Sequence, residues 1–286
     1  MDEPQRGFND YSDEFRDQAI LTYNAFAPAV LTRVRPEAMR RSENARLMLL
    51  RESLIYRSDA IAWHTSLISR LQRGASAQME SMFGRDPNAP GDIARISARE
   101  QQFAFDDVIF NAISLFDYVG NTVAFSLYGE PHQKAKWTRV EHYARDPIFE
   151  KKATGGTRIS ESGLGSTIHR NHVTLYARLM EYRSELLHYH TAPAGGEVST
   201  QLQRNDSGSF DASTKLGITA PEPFSKWCVV PGYKDRPNKL PIELAGAWVC
   251  EQTQNGAIAI LKELERELRR EAGRDPDGTD RLVQML

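Results

Sequence analysis

The chain has 286 residues, of which 40% are hydrophobic and 26% charged, a composition that argues against a disordered or membrane protein. Its 36 Lys and Arg residues nearly balance 38 Asp and Glu residues, and the net charge of -2 argues against nucleic-acid binding through bulk charge alone. Two cysteines, Cys228 and Cys250, exclude a disulfide scaffold and a four-thiolate zinc site.

Two features of the sequence bear on location. The N-terminal segment is acidic and polar, unlike a secretory signal. No stretch approaches the roughly 18 uninterrupted apolar residues typical of a membrane-spanning helix. We therefore expect a cytoplasmic protein without a membrane span.

Helical periodicity begins near the N-terminus. Apolar spacing predicts a first helix over residues 11–33 and a basic connector over 33–41. Ser42 has the side chain of an N-cap, and it would start a long second helix that reaches about Phe83.

A loop rich in Gly and Pro follows at 84–92. We expect a third, strongly apolar helix over 93–128, closed by Gly129. Residues 131–150 predict a short helix, and 151–166 a flexible Gly/Ser connector.

A fourth amphipathic helix is predicted from Thr167 to His190. Residues 197–235 have the pattern of a β-hairpin, with another short strand within 226–233. The last helix would start at Pro241 and stop at Gly273.

The predicted fold is therefore mainly α, a helical bundle with a small β-hairpin element before the C-terminal helix. We expect a single domain over 1–286. It would comprise a helical core over about 11–190, the hairpin insertion over about 197–235 and the C-terminal helix over about 241–272.

Arg183 breaks the amphipathic pattern of the fourth helix. On a helical wheel it falls in the middle of the apolar stripe, together with His172 and His190. Burying a cation without a partner is costly, so Arg183 either meets an acidic or polar group or borders a cleft.

The third helix offers a polar seam that could meet Arg183. Its members share one side of the wheel and are Asp107, Asn111, Ser114, Asp117, Tyr118 and Asn121. We expect Arg183 to meet Asp117 or a neighbour. Such a pair would also exist if its only role were to orient two helices.

The spacing from Arg183 to His188 or His190 fits an Arg–His pattern near the end of a helix. This pattern, within a helical bundle, resembles the HEPN domains (higher eukaryotes and prokaryotes nucleotide-binding) over roughly residues 42–190. Ser184 departs from the family, where Asn, Asp or His often follows the Arg.

The resemblance implies a metal-independent ribonuclease without a cofactor, acting in a prokaryotic stress, toxin–antitoxin or phage-defence setting. Arg183 would stabilise phosphate charge, and His188 or His190 would serve as general acid or base. Asp117 and Asn121 would support this centre. The implied partners are RNA, a second copy of the chain in a homodimer, and an antitoxin or regulatory protein.

Other patterns give alternatives. The local excess of Arg over residues 33–57 would track an RNA backbone, beginning with Arg33, Arg35, Arg40 and Arg41, or would be a solvated surface. Arg57 and His64 form a reserve Arg–His pair, although His64 also suits a core position. The rival function is a non-enzymatic helical interaction protein in which Arg183 is structural.

Metal sites are less well supported by the sequence. The pair His169 and His172 places two nitrogens three residues apart, but no third ligand is identifiable. The Glu185 and His188 spacing is half of a di-iron motif whose other half is not evident.

Overall fold

The computed structural model describes residues 13, 15–17, 19, 20, 24, 37–82, 89–129, 136–188, 194–204, 210–226, 230–271, 273, 275 and 277. These residues are mainly helical, with an antiparallel hairpin before the last long helix, which confirms the predicted fold class. The elements are α1 (Glu37–Met82), α2 (Ala89–Tyr128), α3 (Trp137–Arg145), α4 (Pro147–Thr154), α5 (Gly163–Asn171), α6 (Ala177–His188), β1 (Gly196–Arg204), β2 (Phe210–Ile218), α7 (Glu222–Ser225) and α8 (Ile242–Glu271). The described positions within the predicted first helix are helical.

The two longest helices begin earlier than predicted. Helix α1 starts at Glu37, so Ser42 lies inside it and is not its N-cap, and part of the predicted connector is helical. Glu37 directly follows Pro36 in the sequence, and proline is favoured where helices begin. Helix α2 starts at Ala89 and carries Pro90 in its first turn, where the missing N–H costs no hydrogen bond.

The prediction of a flexible connector over 151–166 is wrong. Its first residues belong to α4, its last to α5, and the turn between them is fixed by the buried carboxylate of Glu150. Glu150 accepts hydrogen bonds from the backbone N–H groups of Ile159 (2.8 Å) and Ser160 (2.9 Å) and from the hydroxyls of Tyr128 and Ser160. A carboxylate with this many donors holds the loop in one conformation.

The predicted fourth helix is interrupted. It begins at Gly163 rather than Thr167, and His172–Tyr176 forms a π-helical turn between α5 and α6. Because a π turn holds an extra residue, a wheel at a constant 100° per residue does not apply across it. The helical wheel therefore gives no evidence that His172 lies on the same apolar face as Arg183.

The hairpin is confirmed. Strands β1 and β2 pair antiparallel, with Gly196 opposite Ile218 and Arg204 opposite Phe210. Lys226 and residues 231–233 lie in turns, but residues 227–229 lie outside the described residues, so the additional short strand stays a prediction.

The boundaries of α8 follow the prediction closely. The helix begins directly after Pro241, and Gly273 beyond its end has a φ of 66°, a left-handed conformation that favours glycine. Cys250 is buried in this helix, as a core residue would be.

The chain divides into two compact units. The first comprises Met1–Ala60, Asn111–Leu179 and Glu251–Leu286, and the second comprises Ile61–Phe110 and Met180–Cys250. Large, fully buried side chains of the first unit include Leu47, Phe116, Trp137 and Tyr143. Those of the second include Ile61, Ile68, Phe105, Ile109, Tyr182 and Phe224.

Helix α2 is the one described helix that is long and apolar enough to cross a membrane by composition. Its most apolar 18-residue window has a mean hydropathy of 1.3, and 72% of that window is buried inside the protein. This burial is typical of the core helix of a globular protein.

Candidate functional site

Arg183 of α6 lies against an aromatic ring within the second unit. Its guanidinium carbon is 5.7 Å from the ring centroid of Phe110 on α2, within the range of a cation–π contact. The Nε atom of Arg183 is buried and has no hydrogen-bond partner among the described residues. Buried donors are nearly always paired, so this unpaired N–H singles out Arg183 as a candidate functional residue.

The neighbouring Tyr182 is bonded to an acid on the same turn of α2. Its hydroxyl donates to Oδ1 of Asp106 at 2.7 Å. Burial raises the pKa of Asp106 from 3.8 to about 6, although the hydrogen bond from Tyr182 opposes this rise and the charge of Asp107 adds to it. Burial also raises the pKa of Tyr182, so that its hydroxyl stays protonated and acts as a donor.

His64 of α1 faces the next acid along α2. Its Nδ1 is 3.7 Å from Oδ2 of Asp107, longer than a hydrogen bond, and this buried nitrogen has no hydrogen-bond partner in the described part of the chain. Burial lowers the pKa of His64, and the charge of Asp107 opposes this only in part. His64 is therefore neutral at pH 7, and its side chain is 21% exposed.

Three residues within one turn of α2 thus contact the other residues of the candidate site. Asp106, Asp107 and Phe110 contact Tyr182, His64 and Arg183, respectively. Ionisable groups that titrate near neutral pH can exchange protons with a substrate, and a guanidinium fits the oxygen pairs of phosphate. The second unit therefore contains groups suited to proton transfer and to anion binding.

The predicted supporting residues lie in the first unit. Asp117 accepts a hydrogen bond from the backbone N–H of Trp137 at 3.2 Å and so holds the first residue of α3. Asn121 is 6% exposed, and its Oδ1 has no hydrogen-bond partner in the described ranges. Their supporting role toward Arg183 stays a prediction.

The polar seam of α2 contacts two residues of α1. In the first unit, Arg57 donates to Oδ1 of Asn111 at 2.9 Å, and its guanidinium lies 5.4 Å from the ring of Tyr56. In the second unit, His64 approaches Asp107. Arg57 and His64, the second Arg–His pair predicted from the sequence, therefore both contact the polar seam of α2. Arg57 does so within the first unit and His64 within the second.

Several predicted site residues lie outside what the structure describes. His188 is the last residue of α6 and its side chain is not described, and His190 lies beyond the described residues. Arg40 and Arg41 lie within α1, again without described side chains, and Arg33 and Arg35 fall outside the described ranges. Their roles remain predictions.

Sequence reasoning missed Asp106, Phe110 and Tyr182. Asp106 stands next to Asp107 in the sequence, and Tyr182 stands next to Arg183, so adjacency to singled-out residues was the available signal. Within the described residues, no group of three or more His, Cys, Asp or Glu side chains is arranged to hold a metal ion.

A shallow groove of about 660 Å³ lies elsewhere in the second unit, between the N-terminal half of α2 and β1. Its walls include the exposed Phe103 and the cations Arg95 and Arg99. Arg99 lies 5.5 Å from the ring of Phe103, and Arg95 pairs with Asp92 at 3.2 Å.

Comparison with known proteins identifies no relative. No protein-family model, no curated protein and no solved structure matches the chain.

Proposed function

We propose that the chain is a HEPN-like ribonuclease that cleaves RNA without a metal ion and that Arg183 binds the phosphate at the cleavage position. The observation that carries this proposal is the buried, unpartnered Nε of Arg183 beside the ring of Phe110. Arg183 itself is only partly buried, and a guanidinium with an unused donor can stabilise the negative charge that develops on a phosphate during cleavage.

The reaction needs a base and an acid besides Arg183. A base removes the proton of the RNA 2′-hydroxyl, whose oxygen attacks the phosphorus, and an acid gives a proton to the departing 5′-oxygen. The products are a 2′,3′-cyclic phosphate and a 5′-hydroxyl. His188 and His190 are the candidates from the Arg–His pattern, and His64 is a third because it is neutral and partly exposed.

The biological setting is part of the same proposal. HEPN-like ribonucleases of prokaryotic stress, toxin–antitoxin or defence systems assemble their sites between two copies, so we propose a homodimer. RNA would be the substrate, and an antitoxin or regulatory protein would be the partner that restrains it.

The direct test is cleavage of a structured RNA by the purified full chain in the presence of EDTA. We expect slow cleavage with cyclic phosphate ends, and a rate reduced about a hundredfold or more in Arg183→Ala, since loss of a charge-stabilising donor has effects of this size. Arg178→Ala, on the same helix, is the matched control and should cleave like the unmodified protein.

The histidines are distinguished by three single variants, His64→Ala, His188→Ala and His190→Ala. The residue that acts as base should show the largest loss of rate and a changed pH profile. Unchanged cleavage by Arg183→Ala, or cleavage that EDTA abolishes, would reject the proposal.

A non-enzymatic helical interaction protein is the second candidate. It is favoured by the contacts of Tyr182 with Asp106 and of Arg183 with Phe110, which join α6 to α2 within the second unit. Under this alternative Arg183→Ala lowers the free energy of unfolding by about 1 kcal/mol, the size of a cation–π contact, and the unmodified protein cleaves no RNA.

A further inference from the structure

A carboxylate and two imidazoles meet in the first unit, apart from the site of Arg183. Oε1 of Glu141 on α3 lies 3.3 Å from Nδ1 of His169 on α5. Glu141 is only 6% exposed, whereas the side chain of His169 is 48% exposed. A carboxylate that holds Nδ1 fixes the ring orientation, and Nε2 lies at the opposite edge of this half-exposed ring.

His172 is fixed in a different way. The indole N–H of Trp137 donates to Nδ1 of His172 at 3.2 Å, and an indole nitrogen can only donate. Nδ1 is therefore unprotonated, and the neutral ring carries its proton on Nε2. Burial lowers the pKa of His172 and keeps the ring neutral, although the charge of Glu141 opposes this shift. His172 thus offers one N–H donor from Nε2 at neutral pH.

The backbone that joins α5, which carries His169, to α6 is irregular. The π-helical turn begins at His172 itself and ends at Tyr176, whose ring stacks on that of His172 with centroids 5.6 Å apart. Such turns are rare, are less stable than α-helix and occur frequently at functional sites, where they change the direction of side chains.

The charge around this cluster favours an anion. Glu141, His169 and Arg145 are the ionisable groups whose electrostatic interactions shift the pKa of His172. The guanidinium of Arg145 is 3.9 Å from Glu141 and 63% exposed, and Arg170 beside His169 is also exposed. Among these groups Glu141 is the carboxylate, and it is buried and faces His169, so the exposed members Arg145 and His169 present N–H donors.

We propose that His169, His172 and Arg145 form a binding site for a phosphate group, with Glu141 as the positioning residue. Two imidazole edges and a guanidinium match the several oxygens of a tetrahedral phosphate, which accepts charge-assisted hydrogen bonds from each. The phosphate would be inorganic phosphate or part of a nucleic-acid backbone. This site does not depend on Arg183 or on the proposed ribonuclease activity.

The test follows the histidine ring nitrogens of the unmodified full chain by long-range ¹H–¹⁵N NMR while inorganic phosphate is added at constant ionic strength. A parallel titration uses a short RNA oligonucleotide. We expect saturable shifts at His169 and His172, with a donor proton on Nε2 of His172 before addition. His142→Gln, His169→Gln and His172→Gln assign the signals.

His142 is the internal control because it lies on α3 but is stacked on Phe149 with centroids 3.9 Å apart and faces Asp146 at 3.8 Å. Glu141→Gln should weaken binding about tenfold, as loss of an orienting partner does, and His142→Gln should not change it. Saturation by phosphate, or by the RNA alone, supports the site and identifies the source of the phosphate group. Absence of saturation with both ligands, or equal shifts at His142, would overturn it.

Discussion

Asp106 is an acid whose charged form is disfavoured by the fold of the second unit. Burial raises its pKa from 3.8 to about 6, while the hydroxyl of Tyr182 remains bonded to it. Between these two pH values the folded protein holds a proton that the unfolded chain releases. The free energy of unfolding therefore falls as the pH rises through this window.

The variant Asp106→Asn removes this penalty and keeps an oxygen that accepts from Tyr182. We expect the free energy of unfolding of Asp106→Asn to exceed that of the unmodified protein by about 2 kcal/mol at pH 7. The difference should be smaller near pH 4. Urea unfolding measured across this range checks the prediction. A difference that does not vary with pH would show that the ionisation of Asp106 is not its cause.

The residues of the candidate site differ in how far the sequence predicts them. The wheel places Arg183 in an apolar stripe, and the structure places its guanidinium over Phe110. The bond between Tyr182 and Asp106 joins residues 76 positions apart in the chain, and it depends on how α6 is aligned along α2. Helical periodicity gives the face of each helix but not that alignment, so this contact could not be predicted.

At the scale of elements, the turn between α4 and α5 depends on Glu150. Oε1 receives the Tyr128 hydroxyl and the Ile159 N–H, and Oε2 receives the N–H and hydroxyl of Ser160. Gly165 lies close to the same turn, where a Cβ atom would be 2.3 Å from the carbonyl oxygen of Ile159. The turn and the start of α5 therefore pack backbone against backbone.

The variant Glu150→Gln replaces one of the two acceptor oxygens by an NH₂ group, which faces two donors and can accept from neither. We expect the free energy of unfolding to fall by about 2–4 kcal/mol, since buried donors lose their partners. Urea unfolding and hydrogen exchange at the Ile159 and Ser160 amides measure the effect.

Glu161→Gln is the matched control for this change. Glu161 belongs to the same turn and accepts from the Thr157 hydroxyl at 2.8 Å, but the pair is exposed. An exposed hydrogen bond contributes little, so the change should stay below about 0.5 kcal/mol. Equal effects of the two variants would contradict the assigned role of Glu150.

The sequence predicts which segments are helical better than it predicts where a helix ends or is interrupted. The Gly and Ser content of 151–166 indicates a flexible loop, but the acceptor that orders it, Glu150, lies just before that segment. The π turn from His172 to Tyr176 leaves the apolar spacing nearly helical, so periodicity does not reveal it. These features depend on tertiary contacts that a local pattern does not contain.

For the whole molecule, the mainly α fold with its hairpin could be predicted because both depend on local periodicity and turn residues. The division into two compact units could not, because each unit combines segments that are distant in the sequence.

The stability of the whole chain should depend on pH through two histidines as well as Asp106. Burial lowers the pKa of both His64 and His172 from 6.5. Below pH 6.5 the unfolded chain binds protons that the folded protein does not. The free energy of unfolding is therefore highest above pH 6.5, as far as these two histidines contribute, and it decreases as the pH falls toward their pKa values in the folded protein. Asp106 acts in the opposite direction between pH 3.8 and about 6.

A combined variant separates these contributions. In an Asp106→Asn background, His64→Gln together with His172→Gln should make the free energy of unfolding less dependent on pH between about 8 and 5, because the two proton uptakes on unfolding disappear. Gln retains an oxygen that can accept from Trp137 at position 172. Urea unfolding at several pH values compares this triple variant with Asp106→Asn alone. Identical slopes would mean that the two histidines titrate alike in the folded and unfolded chains, and that their burial does not control the acid stability of the protein.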